Sequence, residues 1–96
     1  MKSEFQFSII TKLRRLREEN NYSQSQIASI LGISNGQMGN IESLKSPHKY
    51  TLDQIYKICK LFKVPIERVF INDGECECDG GTVDLLILNI IKYEER

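Results

Sequence analysis

The sequence is short of several residue types, and each shortage excludes a class of protein. It has no tryptophan, two prolines, three cysteines and a single histidine in 96 residues. No apolar run comes close to the length of a membrane-spanning helix, which is about 20 residues. The N-terminal MKSEFQFSII lacks the apolar core and the cleavage site of a secretory signal. We therefore expect a cytoplasmic protein without a membrane partner, whose odd number of cysteines stays reduced.

Signatures of catalysis are also missing from the chain. The one histidine, His48, falls in a predicted loop, and neither a phosphate-binding loop nor a nucleophile elbow is present. Cys76 and Cys78 stand two residues apart among carboxylates, where a metal or redox role is conceivable. A structural zinc site needs four ligands, however, and no second pair of this kind occurs. We expect no enzymatic activity, no cofactor and no metal.

Net charge is zero, but the charges are divided unevenly along the chain. Residues 1–70 carry eleven Lys and Arg against six Asp and Glu, whereas residues 71–96 carry two against seven. This asymmetry indicates separate roles, although chance scatter over solvated faces is the alternative. We predict a domain over 1–71, an acidic glycine-rich linker over 72–81 and an apolar segment over 82–96. Further basic residues near the N-terminus add to the basic character of the domain, and most of them are expected to be solvated: Lys2, Lys12, Arg14 and Arg15.

Capping and turn signals predict five short helices before the linker. Apolar residues at helical spacing mark a first helix over 8–20, and Pro65 suits the first turn of a short fifth helix. The helices between them are predicted to start at three capping boxes: Ser23 with Gln26, Ser34 with Gln37, and Thr51 with Gln54. The fold class is therefore all-α.

The second and third predicted helices, over 24–31 and 35–42, have the make-up of a helix-turn-helix. Gly32 lies between them, where a left-handed backbone conformation ends a helix. A helix-turn-helix places its second helix in the major groove of DNA. The residues that two steeply crossing helices would bury are all apolar: Ile27, Ala28, Leu31, Ile33, Met38 and Ile41.

The C-terminal segment is ambiguous in sequence. Seven of the nine residues from Val83 to Ile91 are apolar, more than one face of a helix accounts for. We favour a helix, with a strand as the alternative because Val and Ile are frequent and the run is short. So much apolar surface needs a partner, and a second copy of the chain is the nearest one. We expect homodimerisation through Val83, Leu85, Leu86, Leu88, Ile90 and Ile91.

A set of residues between positions 13 and 70 forms a recognisable pattern: Leu16-Arg17-Glu18-Glu19, Ser23-Gln24, Ile27-Ala28, Leu31-Gly32-Ile33-Ser34, Met38, Ile41-Glu42, Leu52, Ile55, Ile58 and Phe62-Lys63-Val64. With these residues the stretch resembles the Cro/phage-repressor-type helix-turn-helix family, often called the XRE family. The resemblance implies a compact five-helix, lambda-repressor-like domain that binds a pseudo-palindromic operator as a dimer and regulates transcription, as a repressor. Such a protein is associated with the nucleoid when bound.

The resemblance also implies roles for individual residues. Arg17 and Glu42 match a salt bridge between the first helix and the end of the third, with two unrelated surface charges as the alternative. Gln24 matches a contact to a DNA phosphate, and Ser34 is either a phosphate contact and a cap or a cap alone. The basic loop beyond the third helix adds further phosphate contacts: Lys45, His48 and Lys49.

The outer face of the third helix departs from the family because it has no Arg or Lys. The common bidentate contact of Arg with guanine is therefore unavailable, whereas amides can pair with adenine edges and glycines let the backbone approach DNA. We assign base reading to Asn35, Gly36, Gln37, Gly39 and Asn40. The alternative is an antitoxin-like or accessory module with weak base readout that binds an unknown protein partner.

Overall fold

The computed structural model describes residues 2–71 and 81–95, apart from the side chain of Thr82. Within these ranges the chain is all-helical, as predicted, and contains no strand. Except for Gly81, the predicted linker lies outside the described residues, as do Cys76 and Cys78. The helices are α1 (Glu4–Glu19), α2 (Gln24–Leu31), α3 (Asn35–Glu42), α4 (Leu52–Phe62), α5 (Ile66–Phe70) and α6 (Gly81–Glu94).

Capping boxes begin the first four helices. The three that the sequence predicts are present, each with a Ser or Thr hydroxyl accepting from the backbone N–H of a Gln three residues later. The predicted start of α1 is wrong, because Ser3 and Gln6 form a fourth box and the helix begins at Glu4. Gly32 ends α2 as expected, with a φ of 72°.

The core draws on every helix and on the loop between α3 and α4. Tyr50 comes from that loop and Tyr93 from α6, and both are at most 2% exposed. Burying a large apolar side chain contributes about 1.5–3 kcal/mol, so both elements add to the stability of the domain. The other large side chains exposed by less than 2% are Ile9, Ile10, Leu13, Ile27, Met38, Ile55, Val69 and Phe70.

The C-terminal segment forms a helix, α6, which packs against α1 and α5 of its own chain. The ring of Tyr93 meets Phe70 edge to face with centroids 5.8 Å apart, and the Asn89 amide donates to the Phe70 carbonyl at 2.7 Å. Leu86 and Ile90 also pack against the core. Their expected role in dimerisation stays a prediction, although α6 turns this apolar face towards its own domain.

The opposite face of α6 is apolar and exposed. Ile87, Leu88 and Ile91 are 50%, 62% and 53% exposed, and Val83 is 67% exposed. These four residues are called the outer stripe below. Leu85 lies at its margin and is half-buried. Ile87 is absent from the sequence-based set, although its spacing of four residues from both Val83 and Ile91 places it on the same face.

Candidate nucleic-acid interface

The helix-turn-helix is built by α2, α3 and the turn between them. Ile27 and Ala28 of α2 and Met38 and Ile41 of α3 are each at most 5% exposed. Because Gly32 adopts the left-handed conformation, α2 ends sharply and the chain turns into the Ser34 cap of α3. One side of α3 is thus fixed in the core, and the other side is left at the surface.

The surface side of α3 carries all five residues expected to read bases. Asn35, Gly36, Gln37 and Asn40 are exposed, and Gly39 is half-buried. The side chains of Asn35 and Asn40 make no hydrogen bond within the described residues. The Oε1 of Gln37 accepts from the backbone N–H of Ser34 at 3.2 Å, so this side chain is partly committed to the cap. Asn35 and Asn40 therefore have both donor and acceptor available to a base edge.

The fold does not require glycine at either position on this face. A Cβ built on Gly39 meets nothing within 4 Å, and one on Gly36 meets only the Ser34 hydroxyl at 3.8 Å. A glycine inside a helix costs about 1 kcal/mol relative to alanine. These two glycines therefore lower the stability of α3 although no neighbouring atom excludes a side chain there. This favours the interpretation that they allow a binding partner to approach the backbone of α3 closely.

Arg17 and Glu42 lie together in a buried bidentate ion pair. The Arg17 Nε donates to Glu42 Oε2 and its Nη2 to Oε1, both at 3.0 Å, while Nη1 donates to the Tyr22 carbonyl at 2.9 Å. The two residues are 8% and 6% exposed. Paired fork geometry of this kind fixes orientation as well as distance, so α1 holds the C-terminal end of α3 in place.

Gln24 and Ser34, the expected phosphate contacts at the starts of α2 and α3, both already have internal partners. The Gln24 Nε2 donates to Glu42 Oε1 at 2.8 Å, which leaves its second amide N–H available. The Ser34 hydroxyl accepts from the Gln37 backbone N–H at 3.0 Å and still has its own proton to donate. The structure thus orients both groups and leaves each with one donor for an anion.

The three basic loop residues are placed differently from one another. Lys45 and His48 are exposed. The Lys49 ammonium instead donates to the Tyr93 carbonyl at 2.7 Å and the Glu95 carbonyl at 3.4 Å, and lies 5.0 Å from the Tyr93 ring centroid. A cation at the C-terminal end of a helix stabilises it. Two of its three N–H groups are thus used at the end of α6, and the expectation that Lys49 contacts phosphate stays a prediction.

A small cleft joins part of the expected site. It lies between α3 and the start of α4 and has a volume of about 140 Å³. The structure brings Gln37, His48 and Lys49 to its walls, beside the capping box of α4. Lys45 does not line this cleft. Leu44, just after α3, is 47% exposed and is a further surface residue that the sequence analysis did not identify.

Lys2 holds the C-terminal end of α3. Its ammonium donates to the carbonyl of Asn40 at 3.2 Å, to that of Ser46 at 2.7 Å and to that of Ser43. It is 5% exposed, and burial lowers the pKa of its amino group. Lys2 is therefore an exception among the basic residues near the N-terminus, most of which are expected to be solvated. Its partners are carbonyl oxygens 38 to 44 residues away, and backbone partners leave no signal in the sequence.

The described residues hold no group of three or more His, Cys, Asp or Glu side chains placed to bind a metal ion. Cys59 is 3% exposed, and burial, with a smaller effect of the Glu67 charge, raises the pKa of its thiol to about 11. A thiol in such surroundings is a packing group rather than a nucleophile. None of the described helices is both long and apolar enough to span a membrane.

Comparison with known protein families agrees with this geometry. The sequence profile of the helix-turn-helix domain matches residues 10–75, which include α2 to α5 and most of α1. The chain therefore belongs to the helix-turn-helix domain family, and this membership supports a DNA-binding regulator. No curated protein and no solved structure matches the chain.

Proposed function

We propose that this protein is a cytoplasmic, sequence-specific transcriptional regulator, acting as a repressor, that lays α3 in the major groove of DNA. The observation that carries the proposal is the pair of unbonded amides, Asn35 and Asn40, on the exposed side of a helix whose other side is fixed in the core. Amide side chains pair with the N6 and N7 edge of adenine. We therefore expect each half-site of the bound DNA to contain adenine at the positions that these amides contact.

Affinity and sequence choice come from different residues in this proposal. The exposed side of α3 has no cation, so phosphate binding depends on the groups around it. Gln24 and Ser34 offer donors at the starts of two helices, where the helix dipole also favours an anion. Lys45 and His48 extend the same surface beyond the end of α3. We expect moderate affinity with marked salt dependence.

A homodimer formed through the outer stripe of α6 presents two copies of α3 to DNA. The stripe is self-complementary if two α6 helices pair antiparallel about a twofold axis near Leu88. A symmetric dimer of this kind recognises a pseudo-palindrome with half-sites about 10 base pairs apart.

The dimer proposal has a direct test in solution mass. Ile87→Glu places a charge in the centre of the outer stripe and should convert the dimer to a monomer in light scattering or sedimentation. Ile30→Glu is the matched control, since Ile30 is 48% exposed on α2 and outside the stripe. A dimer that survives Ile87→Glu, or a monomeric wild type, would remove α6 pairing from the account.

A protein-interaction module, antitoxin-like or accessory, is the second candidate function. It is favoured by the outer stripe and by the lack of Arg and Lys on α3. In that case a different protein covers the outer stripe, and purification from the native cell yields a stoichiometric complex. The same preparation should then bind DNA weakly and without sequence preference.

Selection from random DNA followed by fluorescence anisotropy tests the leading proposal. We expect an enriched pseudo-palindrome, and a loss of affinity of at least about tenfold between 50 and 200 mM salt. Undetectable binding, or binding that is insensitive to salt, would count against DNA as the partner. Enrichment without any consensus would favour the interaction module.

A further inference from the structure

The last turn of α6 is bonded to the loop that follows α3. The Tyr93 hydroxyl donates to the Tyr50 carbonyl at 2.8 Å, and both side chains are almost completely buried. The hydroxyl of Tyr50 in turn lies 3.5 Å from the Met38 Sδ on the core side of α3. Tyr93, Tyr50 and Met38 thus form a continuous buried chain of contacts from α6 to α3.

Two further side chains hold the end of α6 in this position. The Lys49 ammonium and the Gln6 amide both donate to the Tyr93 carbonyl, each at 2.7 Å. Both also donate to the Glu95 carbonyl. Gln6 belongs to α1 and Lys49 to the loop. The carbonyls at the end of α6, which have no partner within the helix, therefore connect α6 to both elements.

The loop between α3 and α4 is therefore fixed from two sides. Lys2 binds its first half through the carbonyls of Ser43 and Ser46, and α6 binds its second half at Lys49 and Tyr50. This loop carries Lys45 and His48, the exposed basic residues closest in sequence to α3. The end of α6 is thus bonded to the same loop that carries residues proposed to contact phosphate.

We propose that α6 is a positioning element for the DNA-binding surface and that Tyr93 is its principal positioning residue. The inference rests on the proposed function for its effect on DNA, but the contacts themselves do not depend on it. Because α6 also carries the outer stripe, the surface proposed for assembly and the surface proposed for DNA share one rigid connection.

Tyr93→Phe is the sharpest test, since it removes the hydroxyl and keeps the ring that packs on Phe70. Tyr56→Phe is the matched control, because Tyr56 is 50% exposed on α4. Tyr93→Phe should weaken binding to the selected DNA site, with about tenfold as the upper limit, reached only if the whole net free energy of that hydrogen bond is lost from binding. The dependence of affinity on salt and the solution mass should stay as in the wild type, because no phosphate contact and no stripe residue is changed.

Backbone amide hydrogen exchange provides a second readout that needs no DNA. In Tyr93→Phe the amides of residues 43–50 should exchange roughly threefold to tenfold faster at a temperature where the protein is fully folded. Tyr56→Phe should leave them unchanged. A purely structural role would lower the melting temperature of Tyr93→Phe and leave both DNA affinity and loop exchange at the wild-type values, which overturns the proposal. If the wild type binds no DNA, the proposed function fails and the exchange comparison alone decides whether α6 positions the loop.

Discussion

The guanidinium of Arg17 and the carboxylate of Glu42 form two parallel hydrogen bonds of 3.0 Å between α1 and the end of α3. The same carboxylate accepts the amide of Gln24 from the start of α2. One buried carboxylate thus connects α1, α2 and α3. Its geometry fixes the orientation of α3 and with it the direction of the exposed amides that are proposed to read bases.

Arg17→Met should destabilise the protein by about 3–5 kcal/mol, because it leaves the Glu42 charge buried without its cation. Urea denaturation at neutral pH measures the change. Arg14→Met is the control, since the Arg14–Glu18 pair is 3.4 Å long with both side chains about half exposed, and its loss should cost less than about 1 kcal/mol. Equal losses of unfolding free energy in the two variants would show that the buried pair stabilises the protein no more than the exposed one.

Gly39→Ala should separate stability from function. Because a Cβ at this position meets no atom within 4 Å, alanine should raise the free energy of unfolding by up to about 1 kcal/mol. The added methyl group lies on the surface side of α3, which is proposed to face DNA, so affinity for the selected DNA site should fall. Ser29→Ala on α2 is the control, with affinity kept. A Gly39→Ala protein that binds DNA as tightly as the wild type would show that the open helix surface is not used.

Lys45 and Lys49 should differ in how they affect the salt dependence of DNA binding. Removing one phosphate contact lowers the slope of log affinity against log salt by about 0.9. Lys45→Met should show this decrease, whereas Lys49→Met should weaken binding and leave the slope unchanged, because its ammonium is bonded to the end of α6. A smaller slope in Lys49→Met and an unchanged slope in Lys45→Met would show instead that Lys49 is the residue that contacts phosphate.

Stability should fall at alkaline pH, partly through Cys59. Burial raises the pKa of its thiol from 9.0 to about 11, so the folded protein keeps a proton that the unfolded chain releases. The stability that this adds is complete below about pH 9 and is lost as the pH rises through 11. Cys59→Ala should therefore lose less stability than the wild type between pH 8 and 11 in urea denaturation. Burial also raises the pKa values of Tyr50 and Tyr93, which act equally in both proteins.

The local signals in the sequence were sufficient for most of the fold. Capping boxes, a left-handed glycine and helical periodicity act within a few residues, so the bounds of α2 and α3 follow from the sequence alone. The missed start of α1 had the same signal, Ser3 with Gln6, but it precedes the apolar periodicity that marks the rest of the helix. The Arg17–Glu42 contact came from the family resemblance, which supplies a pairing that spacing alone does not.

Contacts between distant parts of the chain were beyond sequence reasoning. Lys2 and Lys49 both bind backbone carbonyls, and a carbonyl is the same in every residue. The division of α6 into an inner and an outer face depends on how the helix docks. Seven apolar residues in nine leave that choice open, so the sequence alone does not show that Leu86 and Ile90 pack against the core of their own chain.

The central claim is that the amides on α3 read DNA bases, and the specificity ratio of one double variant tests it most directly. Affinity for the selected site and for random DNA is measured for the wild type and for Asn35→Ala/Asn40→Ala, whose side chains have no bonds to lose within the described residues. We predict that the preference for the selected site falls at least about tenfold, while affinity for random DNA and its salt dependence are unchanged. An unchanged preference in the double variant would contradict the claim.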